Sequence, residues 1–422
     1  MASLSSQIAE GFPPELVALL RAVGELAARE GQAIYLVGGA VRDLLLGRPT
    51  LDLDLVAEGD AVALARALAR EGGGQVVAHP RFGTAKLKRG ALAIDLATAR
   101  SETYARPGVL PTVQPGTIAS DLFRRDFTIN AMACYLEAAC FGEVLDPFGG
   151  QADLEEGLVR ILHERSFVDD ATRILRALRY EQRLGFRLET GTEALLRRDL
   201  PMLDTISGDR LRHELEHILK EECPERILRR AGDLGVLQCL NPSLEGDGWL
   251  ARCFPRAREL GRRNLGALYL CLLCYRLAPG ELEGVIARLN IAGETARALR
   301  DTVGLKERLT ALARPRLAPS RVYRLLEAFS PEAVRAAALC AEEPAAVERL
   351  RLYLDKLRSI KPVLNGEALK RLGVAPGPEM GRILRRLHQA RLDATVETVE
   401  QEEALVRRWL VRGRQREVVD CV

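Results

Sequence analysis

The residues best suited to chemistry lie near the N-terminus, where an apolar run ends in the pair Gly38 and Gly39. A short helical pattern that contains Arg42 follows them. Glycines before a helix let the backbone approach a phosphate, and the helix N-terminus presents N–H donors to it. Arg42 lies about one turn into that helix, close enough to add charge-assisted hydrogen bonds. The segment is therefore expected to hold phosphate groups.

Two aspartates on the next apolar run add the chemistry of metal binding. Asp52 and Asp54 are two positions apart, so in a strand both carboxylates project from one face. Asp95 ends a later apolar run and is the best-placed third carboxylate. Oxygen-only ligands favour Mg²⁺, and two cations about 4 Å apart can clamp both oxygens of an in-line displacement. The alternatives are ordinary exposed strand residues and a strand-end cap at Asp95.

A second charged motif runs Asp-Leu-Phe-Arg-Arg-Asp-Phe-Thr-Ile-Asn and ends at Asn130. Arg125 is suited to bidentate contact with a triphosphate, and Asp126 and Asn130 to orienting the nucleotide or its sugar. The competing interpretation is a buried ion pair with a helix cap. The spacing alone leaves both interpretations open.

A third motif places Asp170, Arg173, Arg176 and Arg179 at intervals of three. On a helix this spacing sets them along one face. An Asp one turn from an Arg can imitate a Watson–Crick partner, because the carboxylate accepts from an exocyclic amine and the guanidinium donates to a ring acceptor. Cytosine and adenine fit this pattern, whereas uracil and guanine present a carbonyl instead. The alternative is an ordinary ion pair on the helix surface.

Hydrophobic periodicity and turn residues indicate the elements that must position these side chains. Between residues 100 and 120, prolines and glycines predict an irregular segment, and after Pro201 the pattern is helical throughout. The fold class expected is an α+β head, a mixed sheet with helices, followed by an all-α remainder. The predicted strands are 33–37, 51–56, 75–79, 83–88 and 91–97, and the predicted helices of the head include 40–46 and 60–71.

Composition narrows the class of protein. The 422 residues are 28% charged and 47% hydrophobic, which is typical of a soluble globular chain of two to four domains. The net charge is only +3, so a nucleic-acid role requires basic residues gathered on one face. Nine scattered cysteines and the absence of a secretory segment or a membrane-length apolar run favour the reducing cytoplasm and no membrane.

One motif points to different chemistry. His213, Glu214 and His217 match the HExxH pattern of zinc peptidases. No third ligand is apparent in the sequence, so we expect no zinc and a structural helix that braces the head.

Together these segments resemble the class II CCA-adding tRNA nucleotidyltransferase and bacterial poly(A) polymerase family. The resemblance covers residues 33–220 and weakens through the helical remainder. It implies a nucleotidyltransferase head at 1–150, a base-selecting neck at 151–220, a helical body at 221–310 and a tRNA-binding tail at 311–422. The motifs that carry it are LVGGAVRD, DLDLV, DLFRRDFTINAMA, DPFGGQADL, DDATRILRALRY and RLRHELEHIL.

The resemblance implies transfer of C or A from CTP or ATP to the 3′ end of tRNA, with Mg²⁺ on Asp52 and Asp54. Asp95 joins them as a candidate catalytic residue. The family's acidic pair usually begins with Glu, whereas Asp169 stands at that position. The candidate nucleotide-binding residues are Gly38, Gly39, Arg42, Arg125, Asp126, Asp170, Arg173, Arg176 and Arg179.

Several activities within this family remain open at this point. The segment from Arg100 to Pro111 and the DDATR motif are most similar to members that add only part of CCA, especially the terminal A. A CC-adding enzyme and a poly(A) polymerase are the other catalytic alternatives. A non-catalytic RNA-binding relative is the remaining one.

Overall fold

The computed structural model describes residues 3–48, 53–261 and 265–419, with side chains as far as residue 411. The chain forms two compact units, Met1–Pro242 and Ser243–Val422. The predicted domain boundaries after residues 150, 220 and 310 stay predictions. Among the described helices, none is long and apolar enough to cross a membrane.

The first part of this unit contains, among its described residues, nine strands and six α-helices. They are α1 (Ser5–Gly11), α2 (Pro14–Arg29), β1 (Ala33–Val37), α3 (Gly39–Leu45), β2 (Leu53–Glu58), α4 (Ala61–Gly72), β3 (Gln75–His79), β4 (Thr84–Arg89), β5 (Leu92–Thr98), β6 (Arg100–Thr103), β7 (Thr112–Pro115), α5 (Ile118–Phe123), β8 (Ala133–Tyr135), β9 (Val144–Leu145) and α6 (Gly150–Glu156).

Shorter strands and several helices complete this unit. They are β10 (Leu158–Val159), α7 (Ser166–Asp169), α8 (Thr172–Leu184), β11 (Arg187–Leu188), α9 (Thr190–Arg198), α10 (Gly208–Leu219), α11 (Pro224–Asp233) and α12 (Val236–Leu240). Short 3₁₀ turns lie at Pro80–Phe82, Thr128–Asn130, Ala138–Cys140 and Leu200–Thr205.

The second unit is helical throughout its described residues. Its core includes Leu369, Leu387 and Val406, whose side chains are fully buried. The helices are α13 (Gly248–Arg258), α14 (Gly266–Cys274), α15 (Pro279–Arg288), α16 (Gly293–Ala313), α17 (Pro319–Leu326), α18 (Pro331–Cys340), α19 (Pro344–Asp355), α20 (Gly366–Arg371), α21 (Pro378–Leu392) and α22 (Val399–Val419), with a 3₁₀ turn at Leu357–Ser359.

A seven-stranded mixed sheet organises the first unit, with the strand order β3-β4-β5-β2-β1-β8-β9. Only β2 and β5 pair in parallel, and the other neighbours are antiparallel. Along β2, Leu53 and Leu55 are buried while Asp54 between them is exposed, as strand alternation requires. A mixed-sheet head followed by helices confirms the predicted fold class.

The segment 100–120 differs from the irregular connection that its prolines predicted. Strands β6 and β7 form an antiparallel hairpin in which Thr103 pairs with Thr112, and α5 follows directly. Pro107 and Pro111 lie in the connecting loop, so neither interrupts the strand ladder. Thr117 caps α5 by accepting a hydrogen bond from the Ser120 amide. The prolines therefore mark the tip of a hairpin.

Candidate active site

The carboxylate edge predicted for metal binding is present at β2 and β5. Asp54 and Asp95 are directly paired in these parallel strands, so their side chains share one face of the sheet. Lys86 on β4 is the next residue in the same row, and its Nζ lies 2.7 Å from Oδ2 of Asp95. Asp52 lies outside the described residues. The edge thus carries two carboxylates and a neighbouring cation on adjacent strands.

The donor set at this edge fits a hard divalent cation. Asp54 is exposed and Asp95 is 40% exposed, so both can reach a metal and a substrate from the solvent side. Carboxylate oxygens are the ligands that Mg²⁺ prefers. Among the residues that the structure describes, no group of three or more His, Cys, Asp or Glu side chains is placed to hold a metal. Asp52 therefore stays the predicted further ligand beside Asp54.

The glycine turn between β1 and α3 brings the backbone against an arginine. Gly38 has φ 70° and ψ −128°, a conformation that side chains rarely adopt. A Cβ on Gly38 would lie 2.5 Å from Nη1 of Arg125. Arg125 is held there by Oδ2 of Asp121 at 3.0 Å. The turn, Gly39 at the start of α3 and Arg125 are therefore brought together, as a phosphate site requires, and their contact with nucleotide stays a prediction.

Arg42 is buried and bound within the protein. Its Nε donates to Asp43 at 2.8 Å, and its Nη1 donates to Oδ1 of Asn130 at 2.6 Å. The Nδ2 atom of Asn130 donates in turn to Oδ1 of Asp126 at 3.0 Å. Arg42 thus joins α3 to the DLFRRDFTIN motif, and its predicted phosphate contact is not tested.

A buried ion pair connects that motif to α8. Both Nε and Nη2 of Arg176 donate to Oδ2 of Asp126, at 2.9 and 2.6 Å. Burial alone would raise the pKa of Asp126, but the Arg176 charge and the hydrogen bonds from Asn130 and Arg176 hold it below its usual value. All four hydrogen bonds of this carboxylate stay within the protein, the fourth from the Phe127 amide. The geometry matches the alternative of a buried ion pair.

Two carboxylates, one on α10 and one just after its end, extend this network along α8. Glu214 lies 3.6 Å from Arg176 and 3.7 Å from Arg179, and Glu221 lies 3.6 Å from Arg179. Sequence reasoning missed both partners, although the helical spacing of α10 could have shown that Glu214 shares a face with buried Leu211 and Ile218. The arginines of α8 are therefore fixed by protein carboxylates.

The predicted base-selecting pair is arranged differently from the expected helical stripe. Asp170 lies before α8 with an extended backbone, and its carboxylate accepts from the amide and hydroxyl of Thr172, the first residue of that helix. Arg210 also donates to Asp170, at 2.7 Å. Local hydrogen bonding by Asp competes with helix formation, which explains why the helix begins after it. The expectation that Asp170 lies on the helix is wrong.

Arg173 is buried at the start of α8 and is held from two sides. Its Nη1 donates to the Ser166 hydroxyl at 2.7 Å, and its Nη2 donates to the Arg124 carbonyl at 2.6 Å. Asp169, the residue that departs from the family pattern, instead pairs with Arg165 at 3.4 Å. Arg173 and Asp170 are close in the chain and separately anchored, and their role in reading a base stays a prediction.

The hairpin supports this region through charges that the sequence did not reveal. Glu102 on β6 is buried and lies 3.3 Å from Arg124 and 2.9 Å from Arg100. Fully buried Asp121 accepts from both Arg124 and Arg125. Arg124 therefore holds Arg173 through its backbone carbonyl, and carboxylates of the protein fix the side chain of Arg124 in turn.

The HExxH residues form no peptidase site among the described residues. The Nε2 atoms of His213 and His217 lie 3.0 Å apart and share a hydrogen bond. Glu214, the candidate general base of such a motif, is buried against Arg176 and Arg179. The motif residues are therefore divided between the histidine pair and the arginine network.

Comparison with known proteins identifies the family to which this chain belongs. A family model described as the poly A polymerase head domain matches residues 34–160, and a model described as a probable RNA and SrmB-binding site of polymerase A matches residues 185–247. A mixed sheet with opposed carboxylates and these family matches define a nucleotidyltransferase. The chain belongs to the class II CCA-adding tRNA nucleotidyltransferase family, whose members generally use divalent metals.

Several relatives are similar over most of this chain. An A-adding tRNA nucleotidyltransferase of Halalkalibacterium halodurans is 35% identical over 90% of this chain and 89% of its own length. One of Geobacter sulfurreducens is 34% identical over 93% of this chain, which spans only 47% of that relative. A CC-adding tRNA nucleotidyltransferase of Deinococcus radiodurans is 34% identical over 92% of this chain and 93% of its own length.

Solved structures show the same fold. A complex of CCA-adding enzyme with ATP superimposes with a TM-score of 0.81 at 34% identity, covering 97% of this chain and 99% of the other. The Thermotoga maritima CCA-adding enzyme complexed with tRNA gives a TM-score of 0.76 at 34% identity with the same coverages.

The contact between Gly38 and Arg125 yields a first prediction. In Gly38→Ala, the strained backbone and the displaced guanidinium should destabilise the fold by about 1–3 kcal/mol and raise KM for the nucleotide. Gly47→Ala is the matched control, because Gly47 also has a positive φ, 64°, but has open space around it. Denaturant unfolding and steady-state kinetics measure both effects. Equal KM values in the two variants would contradict the assignment.

The buried pair yields a second prediction. Asp126→Asn should lower the free energy of unfolding by about 3–5 kcal/mol at neutral pH, because Arg176 loses its buried partner. The depressed pKa of Asp126 stabilises the fold at neutral pH, and this stabilisation is lost as the pH falls through the folded-state pKa. The difference in the free energy of unfolding between wild type and Asp126→Asn should therefore become smaller at acid pH.

Glu71→Gln is the control for this experiment, because Glu71 and its partner Arg29 are both more than half exposed. That change should leave the free energy of unfolding nearly unaltered. Denaturant titration from neutral to acid pH measures the difference in free energy of unfolding between wild type and Asp126→Asn. If this difference does not change with pH, the charge of Asp126 is not what stabilises the fold.

Proposed function

We propose that this chain is a template-independent tRNA nucleotidyltransferase that adds A, or C and A, to the tRNA 3′ end from ATP or CTP. The observation that carries the proposal is the row of opposed carboxylates, Asp54 and Asp95, in the same unit as the glycine turn and the arginines of α8. In this proposal the carboxylates form the metal edge, the glycine turn binds phosphate, and the segment at the start of α8 selects the base. Those are the parts that nucleotidyl transfer needs.

In this proposal the tRNA 3′-hydroxyl oxygen attacks the α-phosphorus, and the bond to the β-phosphate breaks to release pyrophosphate. A divalent cation at the carboxylate edge, proposed to be Mg²⁺, supplies Lewis-acid stabilisation to the reacting oxygens when it is bound. Asp54, Asp95 and Asp52 would hold it. The Gly38 turn, Arg42 and Arg125 would orient the triphosphate.

Base choice is assigned to the neck segment. Asp170 would accept from the exocyclic amine of adenine or cytosine, while Arg173 donates to the neighbouring ring acceptor. Arg210, Ser166 and the Arg124 carbonyl hold these two side chains in place. Addition of the terminal A is favoured within this proposal because the hairpin segment resembles that of A-adding members, whereas A-adding and CC-adding relatives cover similar shares of this chain.

Two further parts of the proposal concern the cellular compartment and the binding of tRNA. The eight described cysteines are all free, which agrees with a reducing cytoplasm. Binding of the tRNA acceptor end would depend on shape and phosphate contacts along Arg-rich helices, with little dependence on sequence.

Transfer assays with defined acceptors test the activity. Purified chain is incubated with Mg²⁺, labelled ATP or CTP, and tRNA transcripts that end before the first C, after C or after CC. We expect A to be added to the transcript that ends in CC. Long A-tails on unrelated RNA would identify a poly(A) polymerase, and no incorporation on any acceptor would overturn the proposal.

Substitution of the metal edge gives the third prediction. Asp54→Ala should reduce incorporation at least a hundredfold, because removing a metal ligand costs several kcal/mol of charge stabilisation in the transition state. Binding of tRNA, measured by filter retention, should remain nearly intact. Glu71→Gln is the surface control and should retain wild-type rates. Wild-type incorporation by Asp54→Ala would refute the metal assignment.

A further inference from the structure

An open cavity of about 510 Å³ lies beside the proposed base-selecting residue. The hairpin contributes Tyr104, the end of α5 contributes Phe123, and the segment before α7 contributes His163. Arg173 forms part of the same lining. The cavity therefore combines aromatic surface with a guanidinium that donates hydrogen bonds.

Two aromatic side chains of this cavity, Phe123 and His163, are already stacked on each other. The rings of Phe123 and His163 have centroids 4.9 Å apart and planes inclined by 29°, and Phe148 lies 6.0 Å from Phe123. Phe123 nevertheless remains 48% exposed, although its neighbours Leu122 and Ile118 are buried. An aromatic ring that packs against other rings and is still about half exposed beside a cavity is suited to stacking against a flat ligand.

Charge around the stack fits the same ligand. Burial and the nearby Arg173 lower the pKa of His163, so the imidazole is neutral at neutral pH and presents a π face. Arg173 is anchored by Ser166 and the Arg124 carbonyl, so its position relative to the stack is fixed. A flat ring with hydrogen-bond acceptors on one edge would satisfy both features, which is the chemistry of a nucleobase.

We propose that Phe123, backed by His163, is the stacking platform for the base of the incoming nucleoside triphosphate, with the hydrogen-bonding edge of that base turned toward Arg173. The proposal deepens the proposed function and rests on it for the identity of the ligand. Stacking tolerates every base because each has a π face. The platform therefore supplies affinity, while Arg173 and Asp170 supply the choice between bases.

Nucleotide binding and addition are measured on the full chain with Phe123→Ala. Loss of one base–aromatic stack, about 1–3 kcal/mol, should raise the Kd for ATP and the KM for nucleotide about tenfold. The ratio of kcat/KM for ATP and CTP should stay within about twofold, since Arg173 is untouched. Phe123→Tyr should restore wild-type affinity, because the ring is kept.

Phe82→Ala is the matched control. Phe82 is 66% exposed on the same unit, lies in the 3₁₀ turn Pro80–Phe82 and does not line the cavity. Its replacement should leave ATP affinity and nucleotide KM unchanged. Thermal unfolding of each variant verifies that the fold is retained. We expect it to be retained because the rings of Phe123 and Phe82 are both exposed.

Two results would overturn the platform. One is an unchanged Kd for ATP in Phe123→Ala by titration calorimetry. The other is a raised KM for tRNA alone, which would assign the stack to the acceptor end. Calorimetry also separates this proposal from the proposed function. If ATP binding depends on Phe123 but the chain extends no tRNA acceptor, the stacking role of Phe123 is upheld and the proposed transferase activity is contradicted.

Discussion

The ion pair between Asp126 and Arg176 is the constraint on which the rest of the site depends. A buried carboxylate must be paired and hydrogen-bonded, and Asp126 meets this need with Arg176, Asn130 and a backbone amide. Asp126 follows α5 in the sheet-containing part of the unit, whereas Arg176 lies on α8. Because Asn130 also binds Arg42, this single carboxylate links α3, which follows the glycine turn, to the helix that carries Arg173, the arginine proposed to select the base.

The network explains why so many arginines can lie together. Glu214 on α10 and Glu221 just after that helix balance Arg176 and Arg179. Asp121 and Glu102 balance the arginines at the end of α5. Side chains held in this way lose little further conformational entropy when a nucleotide binds. The carboxylates at β2 and β5 lie in the same unit as this network. Fixed positions, rather than the number of charges, make the site suitable for transfer.

Local patterns predicted the sheet well, and long-range partners poorly. Strand β1 spans the predicted residues 33–37, and alternation correctly placed Asp54 on the open face of β2. Asp170 was misplaced because its spacing fits a helix, whereas its side chain bonds to Thr172 ahead of the helix start, and the sequence does not distinguish the two. Glu214 was overlooked as a partner because it is 38 positions from Arg176, and only the folded structure brings them together.

A double-mutant cycle on the buried pair tests the central claim most directly. Asp126→Asn, Arg176→Met and the double variant are compared by kcat/KM for addition of A to a tRNA that ends in CC. If the pair fixes α8 against the sheet, each single substitution alone should cause most of the loss of kcat/KM. The double substitution should then lower kcat/KM only slightly further. The coupling free energy should then exceed about 1 kcal/mol. Additive losses, with a coupling near zero, would contradict the account.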